Sequence, residues 1–92
     1  MDVKEAVKSA ITCIRELFES EKPSNIGLEE VNFNENEKVW EVTIGFSRSW
    51  DYPRGIIAGL QEPLPKRQYK VVKIDSNTGE VKSIKIREAG DA

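Results

Sequence analysis

Val3, Ala6, Val7, Ala10, Ile11, Ile14, Leu17 and Phe18 recur at intervals of three and four residues, which places all eight on one side of an α-helix. A helix with such a stripe gains its stability by laying it on a second apolar layer. Asp2 stands at the N-cap position, and Glu5, three residues on, completes a capping box. Pro23 and Asn25 read as stop signals, so the pattern predicts a helix over about residues 2–21. Lys4, Lys8, Arg15, Glu16 and Glu19 fall off the stripe and face water.

Past a linker, "KPSNIG", the apolar period changes to two. "LEEVNF" reads as a first strand at about 28–33, and "NENEK" as a polar turn. "VWEVTIGFS", at about 39–47, alternates strongly: Trp40, Val42, Ile44 and Phe46 form the face for the helix, with Val39, Glu41, Thr43 and Gly45 on the other. "QYKVVKID" (about 68–75) and "EVKSIKIR" (about 80–87) form a final hairpin around "SNTG". Gly79 supplies the left-handed residue this turn needs, and Asp75 can accept from backbone N–H groups two or three residues on. Val72 and Ile74 share a face with Val81, Ile84 and Ile86 only if a bulge near Lys82–Ser83 shifts the alternation. The expected fold is α+β: one domain over residues 1–92, an N-terminal helix packed on one face of a four-stranded antiparallel sheet, cystatin-like in outline. "EAGDA" reads as a frayed tail.

Composition narrows the chemistry. In 92 residues with 38% hydrophobic and 33% charged side chains, one modest core consumes most of the apolar material. There is no histidine and one cysteine, so Ser–His and Cys–His pairs, an internal disulfide and a histidine–cysteine zinc site are all out of reach. The acidic residues are spread over a helix face, a turn and strand exteriors, with no cue that two converge as acid and base. "DSNTGE" lacks the twelve-residue ligand pattern of an EF-hand and reads as a turn. Cys13 reads as a small packing residue. The expectation is a non-enzymatic protein with no cofactor and no metal. The N-terminus carries charges throughout, unlike a secretory signal, and no run approaches the ~20 apolar residues of a spanning helix, so a cytoplasmic chain without membrane contact is expected.

The leading helix with "EAVKSAI", the middle strand "WEVTI" and the closing "KIDSNTGEV" together resemble PepSY-like domains, over roughly two-thirds of the chain. The matching turn residues are Asp75, Thr78, Gly79, Glu80 and Val81. The resemblance implies a cystatin-like build and a role in binding or inhibiting other proteins, often peptidases. Unlike that pattern, this sequence shows no export signal and inserts a long segment at 48–67.

Two surfaces compete for a binding role. The 48–67 segment, "RSWDYPRGIIAGLQEPLPKR", shows neither period and is longer than the fold requires. Trp50, Tyr52 and Arg54 are the residue types that dominate interface hot spots, and Ile56, Ile57 and Leu60 can anchor the segment or join a partner contact. With the adjoining sheet edge it forms the expected site for a protein partner, and a homodimer through a sheet edge is a further expectation. The alternative is nucleic acid. Residues 1–65 carry a net −5, residues 66–87 a net +5 and the last five −2, for a total of −2. Lys66, Arg67, Lys73, Lys85 and Arg87, with Tyr69 among them for stacking, outline a basic single-strand binder. Glu41, one strand away, is placed to pair with Lys73 instead.

Overall fold

Asp2 starts the helix by the expected reciprocal bonds: the Glu5 N–H donates to Asp2 Oδ1 at 2.8 Å and the Asp2 N–H to Glu5 Oε1 at 3.3 Å. In the computed structural model, which describes residues 1–48 and 67–87, helix α1 runs Val3–Leu17. It is shorter than the 2–21 expected. Phe18 caps it, a single 3₁₀ turn follows at Glu19–Glu21, and Lys22 closes that turn in the left-handed region at φ 49°. The chain therefore leaves the helix well before Pro23. The tighter turn and a left-handed residue stop it.

Four strands follow: β1 (Ser24–Asn34), β2 (Val39–Ser47), β3 (Gln68–Asp75) and β4 (Val81–Ile86). They form one sheet in the order β1-β2-β3-β4 with every neighbour antiparallel. The fold is thus α+β, with one helix on a four-stranded open meander. Strands β2 and β3 fall where the alternation put them. Strand β1 starts four residues earlier than expected and absorbs the last four residues of the supposed linker. Its register against β2 shifts between Ser24 and Gly27 and again between Leu28 and Glu30, and Asn25 sits at φ 54°. Such bulges let a strand run through turn-like sequence.

Ala6, Ala10 and Ile14 of α1 are fully buried against Val42, Ile44 and Phe46 of β2 and Val72 and Ile74 of β3. Val7, Ile11, Phe18, Ile26, Val31, Trp40, Val81 and Ile84 pack around this cluster, half-buried. The Phe18 and Phe46 rings lie 5.3 Å apart, and Phe33 meets Trp40 edge-on at 5.0 Å. In β4 the register shifts by one residue at Lys82, with Lys73 opposite Ser83 and Ile74 opposite Val81. That bulge brings Val81 and Ile84 to the same face, as the sequence demanded. Val39 and Thr43 lie on the face away from the helix, as expected, and are nevertheless buried. They belong to a strand flanked on both sides, and the Arg87 guanidinium lies on Thr43 Oγ1 at 3.1 Å.

Both hairpin turns lie at one end of the sheet and share one device. Asn34 Oδ1 accepts from the N–H groups of Asn36 and Glu37 at 3.0 Å each, and Asp75 Oδ1 accepts from those of Asn77 and Thr78 at 2.8 and 2.9 Å. Gly79 is left-handed at φ 76°. Ser76 joins the turns, its N–H and hydroxyl both donating to the Lys38 carbonyl at 3.1 and 2.8 Å.

Ile44 is fully buried where helix and sheet meet, whereas Val3 retains 41% of its exposure. Ile44→Ala is therefore expected to cost about 2–5 kcal/mol, and Val3→Ala less than about 0.5 kcal/mol, in urea unfolding monitored by tryptophan fluorescence. Equal losses would show that the core is not centred on β2.

Candidate functional site

Helix α1 lies over β2, nearer to β1 than to β3, and a groove of about 560 Å³ opens between it and the edge strand β1. The apolar side chains in it are Val3, Val7, Ile11, Leu28 and Val31. Leu28 is 45% exposed and Val3 41%, high for aliphatic residues that adjoin a core. The helix also contributes Lys4, Lys8 and Arg15, the charged residues that line the groove among the described residues. None of them makes an ion pair with a described residue.

This surface was missed in the sequence reading, where Lys4, Lys8 and Arg15 counted only as solvated positions. A signal was present. Val3-Lys4 and Val7-Lys8 repeat an apolar-basic pair every four residues, and Ile11 and Arg15 continue the two rows. That pattern sets a line of cations along one border of the apolar stripe.

The helix-free face of the sheet is different. Arg67, Lys73 and Arg87 gather there, each facing carboxylates. Arg67 Nη2 lies 3.2 Å from Glu29 Oε2, and Arg67 Nη1 donates to the Asn25 carbonyl at 2.9 Å. Arg87 reaches across to Glu30 at 2.6 Å. Lys73 Nζ sits 3.3 Å from Glu37 and 3.7 Å from Glu41, which is the cross-strand pair expected. Gly45 makes room for this layer: a Cβ there would stand 2.6 Å from Arg67 Nη2 and 2.9 Å from Glu29 Oε2. Tyr69 is half-buried on β3 and Lys85 exposed on β4. Lys70 turns to the helix side instead, 5.6 Å from the centre of the Phe18 ring. Trp50, Tyr52, Arg54, Ile56, Ile57, Leu60 and Lys66 lie outside the described residues. The flanks of that segment are tied to the β1 side, Arg48 by Glu21 at 3.5 Å and Arg67 by Asn25 and Glu29.

Cys13 lies on the opposite flank of α1, half-buried. Burial raises its thiol above the ordinary value, and the nearby Glu16 carboxylate raises it further. A thiol held protonated in this way is a poor nucleophile. Among the described residues no group of three or more histidine, cysteine or acidic side chains converges to hold a metal ion. No described helix is long and apolar enough to cross a membrane.

Asp75 serves the turn. Its carboxyl is lowered below the ordinary value, first by the Thr78 N–H, then by the Asn77 N–H, with Lys82 at 3.8 Å adding attraction. A folded-state value below the unfolded one means that the carboxylate contributes stability above the unfolded value, about 3.9. That contribution is lost as pH falls through the lower, folded value. Asp75→Asn keeps an acceptor oxygen but removes the charge. It is expected to unfold at lower temperature than the parent at neutral pH, with the gap closing as pH falls below about 4. A gap independent of pH would remove the charge from the explanation.

No family model, no curated protein and no solved structure matches this chain, so the resemblance to PepSY-like domains rests on its own residues.

Proposed function

We propose that this chain is a small, non-enzymatic protein-binding module. The observation that carries this reading is the α1–β1 groove, where aliphatic side chains remain open to solvent beside the buried core. Contiguous exposed apolar surface bordered by charge is the usual mark of a contact site for another protein. The 48–67 segment belongs to the same proposal. Its hot-spot residues Trp50, Tyr52 and Arg54 are flanked by Arg48 and Arg67, which bond to the β1 side of the fold.

The nucleic-acid reading draws less support. Phosphate binding needs cations that release counterions, and Arg67, Lys73 and Arg87 already face carboxylates. A homodimer through a sheet edge also finds little support, because β1 and β4 both carry bulges that interrupt a regular edge.

The test compares affinity capture from native lysate, with and without nuclease, by the parent, Leu28→Asp, and a triple variant Trp50→Ala, Tyr52→Ala, Arg54→Ala. Leu28 is exposed enough to change without opening the core. A protein band that survives nuclease and disappears with Leu28→Asp, at an unchanged melting temperature, supports the groove. Its loss with the triple variant alone moves the contact to the 48–67 segment. Recovery of RNA or DNA that both variants retain rejects the proposal.

A further inference from the structure

We infer that the α1–β1 groove takes an acidic amphipathic helix of a protein partner, an inference that rests on the protein-binding reading. The charge of the partner follows from Lys4, Lys8 and Arg15. Among the described residues they are the charged ones lining the groove, and none of the three makes an ion pair. The contrast with the other side of the sheet is direct, since Arg67, Lys73 and Arg87 each have a carboxylate within 3.3 Å. A row of unpaired cations beside an apolar floor fits a ligand with aliphatic side chains on one face and carboxylates along its border.

The shape favours a helix. The α1 residues that line the groove run from Val3 to Arg15, which is about 18 Å along a helix axis. An incoming helix of about 12 residues matches that length, and it anchors through side chains spaced three and four residues apart. Strand addition is the poorer fit, because the register of β1 breaks twice, between Ser24 and Gly27 and between Leu28 and Glu30. A second copy docked groove to groove is disfavoured too. Two-fold symmetry would set the same Lys4, Lys8 and Arg15 rows against each other.

The experiment titrates the isotope-labelled full chain with three synthetic 14-residue peptides, read by amide chemical shifts. Each peptide has leucine at every third or fourth position; the flanking positions are Glu, Gln or Lys. The Glu peptide is expected to shift amides of residues 3–15 and 28–31 and to bind at least tenfold more tightly than the Lys peptide. The double variant Lys4→Glu, Lys8→Glu is expected to reverse that preference. Both lysines are exposed, so the variant retains the fold, checked by its melting temperature. Equal binding of all three peptides overturns the charge assignment while leaving the groove as a contact surface. No shift at the groove with any peptide overturns the groove reading itself. Groove shifts that depend only on the concentration of the chain identify a second copy as the occupant and overturn the inference.

Discussion

A single helix must cover a sheet wider than itself, and the rest of the structure follows from that mismatch. An α-helix with its side chains is about 10 Å across, whereas the outer axes of four strands spaced about 4.8 Å apart stand about 14 Å from each other. Alanine at positions 6 and 10 brings α1 close to β2, where Ile14, Val42, Ile44 and Phe46 complete a fully buried centre. The margins remain uncovered. Leu28 on β1 is 45% exposed and Ile86 on β4 is 74% exposed. The groove is therefore a geometric remainder of the fold, and the basic row on α1 distinguishes it from a mere gap.

The opposite face has no helix and is covered by its own long side chains. Acidic residues of β1, β2 and the intervening turn meet the basic residues of the C-terminal hairpin across the sheet. The lengthwise division of charge in the sequence thus becomes lateral pairing in the fold. Each such surface pair contributes only up to about 1 kcal/mol, and salt screens it beyond about 8 Å. Their main effect is to shield β2: Arg67 and Glu29 lie over Gly45, and Arg87 over Thr43. Aliphatic stems of such residues cover apolar surface while their heads stay hydrated.

What the sequence made legible was local. The Asp2–Glu5 cap, the β2 alternation, the Asp75 turn and the bulge at Lys82 each depend on residues a few positions apart, and each is present. The start of β1 was hidden because Pro23 precedes it and Ser24, Asn25 and Gly27 are turn formers; only pairing with β2 makes Ser24–Gly27 a strand. The link from Arg87 to Glu30 spans 57 residues and needs the strand order before it can be seen. The groove was illegible for a related reason. Periodicity tells which side of α1 is apolar, but not that a groove opens between α1 and β1.

The lysines of α1 raise a question that packing does not answer. Lys4 lies in the first turn, near the positive end of the helix dipole, where an acidic residue would be favoured. Lys8 follows four residues later on the same side and repels it. Each effect is small, at most about 1 kcal/mol, but both act against the helix, and neither lysine makes an ion pair with a described carboxylate. Elsewhere in α1 the local choices agree with helix formation: the capping box, Glu5 in the first turn and Arg15 in the last. Positions that break a local rule inside an otherwise consistent element are those where function is expected to have set the residue. Here the exception and the open apolar surface coincide in space. An acidic helix in the groove would neutralise charges that make no ion pair among the described residues, so the same contact would cover the margin of the sheet and relieve the start of the helix.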